Sequence, residues 1–227
     1  MIPKYKMKLQ TTIKTIDKIL AVKPDKIAFI MRHSERHFHE DARMEPFMGL
    51  TDNGKNKSME LGSTLKKHPD PQLFASSFGR CIETAYLLDK GYCNNHGKTD
   101  NTVELDIALT PFYINNIEKA IAMLVKSGTD IFLRSWFNKE IPEDIMLDPE
   151  KASQKILSFM KLKLQNLDNK KIGIFVSHDW NIFPIKEFHM GLKHEEWGNV
   201  GYLDSIFIYE KNGKYYLANH QKNAIEL

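Results

Sequence analysis

"IAFIMRHSERHFHED", residues Ile27 to Asp41, runs from an unbroken apolar stretch straight into a crowd of charge. Lys26 to Met31 is short, apolar and rich in β-formers, and Pro24 precedes it, so it reads as a buried strand. Such a strand should simply turn at its end. Instead Arg32-His33-Ser34-Glu35-Arg36 sets two guanidiniums around an imidazole. Guanidiniums repel a metal ion, so this crowd suits an anion.

Outward from that strand the same pattern recurs. Gln72 to Phe78, "QLFASSF", is a second buried strand feeding "GRCIETAYLLDKGY", a helix expected to turn Ile82, Ala85, Tyr86 and Leu88 inward. Lys170 to Ser177, "KKIGIFVS", is a third, followed by a helix from Trp180 to Met190. Ahead of the first strand, Leu9, Ile13, Ile16 and Leu20 recur at helical spacing. After it, a loop leads to Thr51 or Asp52, either of which can cap a helix with Met59, Leu61 and Leu65 inward. From Gly91 to Lys170 the pattern is less regular: a polar loop "NNHGKTDN", a short strand "TVEL", and helical stretches at 116–126 and 149–167. "SIFIYEKNGKYYLANH" is two β-rich runs joined by Asn212-Gly213, a strong hairpin signal. Strands alternating with helices predict an α/β three-layer sandwich, its central sheet mostly parallel, with the final hairpin as an antiparallel edge.

Composition narrows the classes. A chain of 227 residues with 42% hydrophobic and 27% charged residues is expected to form one domain spanning 1–227. A net charge of +3 is too mild to imply a nucleic-acid or membrane surface. No apolar run approaches the ~20 residues of a membrane-spanning helix, and no secretory signal is visible, so a cytoplasmic location is expected. Cys81 and Cys93 form no disulfide or zinc pattern and read as a core thiol and a loop thiol. No cofactor is expected, and oligomeric state is not legible.

In a mostly parallel sheet, ligands gather at the carboxyl ends of the strands. The first end carries Arg32, His33 and Arg36, the second carries Arg80 at a helix start, and the third carries Ser177, His178 and Asp179 at another. Helix N-termini also favour anions. Alone, Arg80 reads as a surface ion pair and His178-Asp179 as a helix cap. Together, three guanidiniums repel one another unless a polyanion stands among them, and phosphate oxygens match the arginine fork.

"RHSER" resembles the RHGxR signature of the histidine phosphatase superfamily, in its acid-phosphatase branch. "LTDNGKNKSMELGSTL" is similar to that family's LTxxGxxQxxxLGxxL segment, "ASSFGRCIETA" to SSxxxRxxxTA, and "VSHDWNI" to SHDxNI. The four occur in family order; the middle, Gly91 to Leu167, carries no match. The resemblance implies a phosphoglycerate-mutase-like fold with a small helical cap inserted at approximately 91–169. It implies His33 as the nucleophile that takes the phosphoryl group, with Arg32, Arg36 and Arg80 binding its oxygens. His178 completes the phosphate pocket and Asp179 protonates the leaving group. Two departures stand out: the family's glycine after the nucleophile is Ser34, whose hydroxyl could contact phosphate, and its proline past the second arginine is Phe38. Asp52 likewise replaces the proline of the family's LTP and leaves a good helix cap.

The chemistry is consistent with those roles. A phosphate monoester repels nucleophiles by its charge, which a site must cancel during in-line transfer. Arginines do so without a metal, and neutral imidazole is a good nucleophile. A positioned acid contributes roughly 10²–10⁴-fold. The expected partner is a small or exposed phosphate ester, with no nucleic acid and no membrane.

Other readings remain open at this stage. His37, His39 and Asp41 spell H-x-H-x-D, a spacing that could hold zinc in a metal-dependent hydrolase; a solvated loop explains it as well. A non-catalytic phosphoester-binding protein would share the fold. Phosphoryl transfer of the phosphoglycerate-mutase type would use a mid-chain Glu as acid, for which Glu104 is the candidate. His39, Arg43, Arg134 and Trp136 are suspects for substrate selection.

Overall fold

The structure, a computed structural model, describes residues 5–65, 69–96 and 102–227. Most of the expected polar loop "NNHGKTDN" lies outside the described residues. Seven strands form one sheet: β1 (Lys26–Arg32), β2 (Asp70–Ala75), β3 (Glu104–Leu105), β4 (Lys171–Ser177), β5 (Ser205–Lys211), β6 (Lys214–Ala218) and β7 (Ile225–Glu226), in the order β3-β2-β4-β1-β5-β6-β7. The first four in that order run parallel, and the last three run antiparallel. The β5–β6 turn is Asn212-Gly213, both at positive φ (53° and 73°), the backbone a two-residue hairpin needs.

Because β1 is central, both of its faces are covered. Ile27, Phe29 and Met31 point to one core and Ala28 and Ile30 to the other. On the first face lie α1 (Leu9–Ala21), α2 (Asp52–Thr64) and α3 (Gly79–His96). On the second lie α5 (Thr129–Phe137), α6 (Pro149–Asn166) and α7 (Asp179–Met190), with α4 (Ile117–Ser127) joining through Ala120. The three-layer sandwich is the expected one. Within the span 91–169 expected as an insertion, α6 packs directly on the sheet through Ala152, Ile156, Met160 and Leu164.

Several local expectations shift. Tyr86 is exposed rather than inward; Cys81, Thr84, Ala85 and Leu88 fill that face of α3. In α1 the buried face is Leu9, Thr12, Thr15, Ile16 and Ile19, because the Thr12 hydroxyl donates to the Leu203 carbonyl (2.6 Å) and so turns inward. Met59 is only half-buried, whereas Leu61 and Leu65 are core residues. Thr51 rather than Asp52 caps α2, accepting from the Gly54 N–H (3.0 Å). Burial pushes the Cys81 thiol up to about 12, which makes it an inert core thiol.

The helices α2 and α3 approach each other through glycine. A Cβ on Gly62 would stand 1.9 Å from the Leu88 carbonyl oxygen, and one on Gly91 would stand 2.1 Å from that of Met59. Neither backbone can yield without parting the helices. Gly62→Ala is expected to destabilise the fold by about 1–3 kcal/mol, the usual range for overpacking. Urea unfolding checks this: the midpoint should fall at constant m-value.

Candidate active site

Sheet register brings the three strand ends together. Arg32, closing β1, pairs with Ser177, closing β4, and the His33 N–H donates to the Ser177 carbonyl (2.9 Å). β2 ends at Ala75 opposite Val176, and the following turn opens α3, with Arg80 in its first turn. All six residues singled out from the sequence, Arg32, His33, Arg36, Arg80, His178 and Asp179, line one cavity of about 430 Å³.

Arg80 ties the cluster together. Its Nε donates to His33 Nε2 (3.0 Å), its Nη2 to His178 Nδ1 (3.1 Å), and its Nη1 to the Glu45 carbonyl (2.9 Å). A guanidinium only donates, so both imidazoles must accept on those nitrogens. The tautomers follow from the partners. His33 carries its proton on Nδ1, which donates to the Ser34 carbonyl (2.8 Å). His178 carries its proton on Nε2, which donates to Ser76 Oγ (3.0 Å). Burial first, and then the charges of Arg80 and Arg32, hold both imidazoles well below the ordinary range. Each is a neutral base with a lone pair beside the cavity.

Arg32 is fixed on four sides. Its Nη1 donates to the Val200 carbonyl (2.7 Å), and its Nη2 pairs with Asp179 Oδ2 (3.1 Å). Its guanidinium carbon lies over the rings of both Tyr5 (3.8 Å) and Tyr202 (4.5 Å), which meet each other edge to face, giving two cation–π contacts. Tyr5 arrives on a segment that crosses Gly201, where a Cβ would meet the Lys6 carbonyl oxygen at 2.3 Å. The Tyr202 N–H donates to that carbonyl (3.0 Å). Arg36 pairs with Glu45, donates to the His37 carbonyl (2.8 Å) and lies over the Phe38 ring (4.0 Å). The Nε atoms of Arg32 and Arg36 are buried with no partner among the described residues, leaving two donors available. Asp179 is both the first residue of α7 and a cavity residue; its Oδ1 accepts from the Trp180 N–H (3.0 Å).

Other residues are placed elsewhere. The Ser34 hydroxyl donates to the Gly54 carbonyl (2.8 Å), which directs it to the backbone and not to a ligand. In the H-x-H-x-D stretch, His39 Nδ1 accepts from the Asp41 N–H (3.0 Å) and Asp41 is gripped by Arg43 (2.7 Å), while His37 is exposed. Among the described residues no group of three or more His, Cys, Asp or Glu could hold a metal ion. Glu104 does not line the cavity; its carboxylate pairs with Lys163. Of the suspects for substrate selection none reaches the cavity: Arg134 pairs with Glu187 (2.8 Å) and Glu195, Trp136 is a core residue, and His39 and Arg43 are exposed.

Tyr5, Glu45, Ser76 and Tyr202 escaped the sequence reading. Tyr5 and Tyr202 lie outside every motif. Glu45 belongs to the short 3-10 turn Ala42–Phe47, in a loop whose path no periodicity reveals. Ser76 stands within the "ASSFGRCIETA" segment, where nothing in the sequence signals a histidine partner.

The sequence model of the histidine phosphatase superfamily (branch 1) matches residues 28–199, and the chain belongs to that superfamily. The acid-phosphatase placement drawn from the motifs is not part of that match. No curated protein sequence matches the chain. Among solved structures it is similar to a phosphoglycerate mutase from Bacillus anthracis str. Sterne, 17% identical, TM-score 0.59, covering 86% of this chain and 92% of that one. It is also similar to YhfR from Bacillus stearothermophilus (16% identical, TM-score 0.58, 85% and 95% covered). A phosphoserine phosphatase from Entamoeba histolytica is 19% identical with a TM-score of 0.54, again with 85% and 95% covered. At such identities the likeness is one of fold.

The lowered imidazoles have a consequence for stability. In the unfolded chain His33 and His178 take up protons near the ordinary value of about 6.5, whereas in the fold they do so only at lower pH. Their contribution is therefore complete above about pH 6.5 and is lost as pH falls toward the lowered folded values. The thermal unfolding midpoint should decline below that pH, and less steeply in His178→Gln. Circular dichroism melts at constant ionic strength test this; identical slopes in both proteins would contradict it.

Proposed function

We propose that the protein is a metal-independent phosphomonoesterase working through a phosphohistidine on His33. The observation that carries this reading is the Arg80 bridge: His33 is neutral, its proton on Nδ1 and its Nε2 lone pair facing the Arg80 donor that a phosphoryl oxygen would draw away. Membership of the superfamily supports it.

In this mechanism the ester's phosphoryl group occupies the donors of Arg32, Arg36 and Arg80. The Arg80 Nε–H turns from His33 to a phosphoryl oxygen and frees the nucleophile. A P–N bond forms to His33 Nε2 as the P–O bond to the alcohol breaks, and the departing oxygen takes a proton from Asp179. Water then attacks phosphorus, the P–N bond breaks, and the water proton passes to the Asp179 carboxylate. The dianion competes with Asp179 for Arg32, which releases the Asp179 carboxyl from its ion pair to face the leaving oxygen. His178, neutral and anchored by Ser76, contributes a positioned imidazole to the phosphate pocket.

With radiolabelled substrate and a strong chelator present, rapid quenching should trap an acid-labile phosphoryl adduct on the wild type and none on His33→Ala. An adduct on another residue, or labelling that requires added metal, would overturn the assignment.

The helix-cap reading of Asp179 does not hold, since His178 is the N-cap of α7 and Asp179 its first residue, so Asp179→Asn separates acid catalysis from a structural role. Asn keeps the Oδ1 that accepts from the Trp180 N–H but cannot give the proton. Turnover of alkyl phosphates by Asp179→Asn should fall by roughly 10²–10⁴-fold, and that of nitrophenyl phosphate, whose leaving group needs little protonation, much less. Equal losses on the two esters would remove Asp179 as the donor.

A further inference from the structure

The cavity is lopsided. Arg32, Arg36, Arg80 and Asp179 follow the strand ends with the two histidines, and Glu45 joins them from the 3-10 turn by pairing with Arg36. The rest of the lining is largely apolar, with Pro111, Ile114, Ile117, Ile121 and Leu124 contributed by α4 and the segment before it. Among the described residues lining that part none is charged. Its polar groups are few and mostly committed: the Tyr113 hydroxyl bonds to Asn181 Oδ1 (3.1 Å), and that of Thr110 donates to the Ile107 carbonyl (2.7 Å). Burial pushes the Tyr113 phenol well up, so it stays neutral.

We propose that the site selects monophosphate esters of neutral, apolar alcohols or phenols, with the leaving group held against Ile114, Ile117, Ile121 and Leu124. This rests on the reading of the charged end as a phosphomonoester site. A second charge on the leaving group, such as the carboxylate of phosphoglycerate or the ammonium and carboxylate of phosphoserine, would meet apolar side chains. The cations at the near end are already committed to the phosphoryl group, and an unpaired buried charge is strongly disfavoured. An apolar chain, by contrast, gains with each methylene it removes from water. Ile117 is 58% exposed, so the wall continues to the mouth and a longer chain can extend along it.

The test is kcat/KM across methyl, butyl, hexyl and octyl phosphates, with phosphoserine and 3-phosphoglycerate alongside. Roughly a fourfold rise per methylene is expected until the chain reaches the mouth, with both charged esters at least about 10²-fold below hexyl phosphate. Ile121→Lys should flatten the series and raise 3-phosphoglycerate relative to hexyl phosphate. Ile117→Lys, at an exposed position that leaves folding undisturbed, should do the same more weakly. A flat series in the wild type, or better turnover of either charged ester than of hexyl phosphate, overturns the proposal. If no ester is hydrolysed, the phosphomonoesterase reading fails, and titration calorimetry with methyl to octyl phosphonates decides the wall separately. Affinity rising with chain length and a negative heat-capacity change sustains it, and affinity independent of length overturns it.

Discussion

The Arg80 guanidinium bridging two imidazoles is the contact on which the site depends. It can exist only because β1, β2 and β4 are neighbours, with β4 between the other two. Register then sets Arg32 and Ser177 level, so the residues that follow each strand emerge at one edge of the sheet. Neutral histidines are a consequence of this placement. Each accepts a hydrogen bond from Arg80, and a proton placed on the accepting ring nitrogen would face a donor instead of an acceptor.

Holding such a cluster under two apolar layers demands counterweights. Arg32 has Asp179, the Val200 carbonyl and two tyrosine faces; Arg36 has Glu45; Arg80 has the Glu45 carbonyl and the two imidazoles. None of these is a surface ion pair of the kind that contributes little, because Arg32 and Arg80 are 2% and 8% exposed. Leu203, at φ 59°, is part of the same frame. A bulky residue rarely adopts that conformation; here its N–H donates to the Arg32 carbonyl (3.2 Å) and its own carbonyl receives Thr12 (2.6 Å). The connection before β5 thus carries Tyr202 past Arg32 under tight backbone control.

Strands were legible where burial on both faces produced unbroken apolar runs, as in "IAFIM" and "IGIFV". The hairpin was legible because Asn-Gly is the dipeptide that tolerates two positive φ values. The six cavity residues were legible because strand ends in a parallel sheet share an edge, a rule that needs no knowledge of side-chain paths. What failed was everything set by loop trajectory or by a helix's rotation about its axis. Tyr86 was expected on one inner face with Ile82, Ala85 and Leu88, yet Thr84, whose hydroxyl donates to the Arg80 carbonyl (2.7 Å), takes the buried side. Arg134 and Trp136 looked free to meet substrate, but their partners Glu187, Glu195 and the Leu147 carbonyl come from distant segments.

The loop spelling H-x-H-x-D shows how a motif can be chemically meaningful and still misdirect. Its histidine and aspartate act on the backbone: His39 Nδ1 accepts from Asp41, Asp41 grips Arg43, and the His39 N–H donates to Glu45 Oε1 (3.0 Å). Those contacts fold the chain back so that Glu45 lies against Arg36. A loop that resembles a ligand set in sequence thereby becomes the holder of a countercharge. Asp179 provides the matching countercharge on the opposite side, from α7 against Arg32. Two carboxylates and two imidazole nitrogens therefore engage the guanidinium donors that a phosphoryl dianion would use. Binding of such an anion exchanges one set of acceptors for another within a fixed frame.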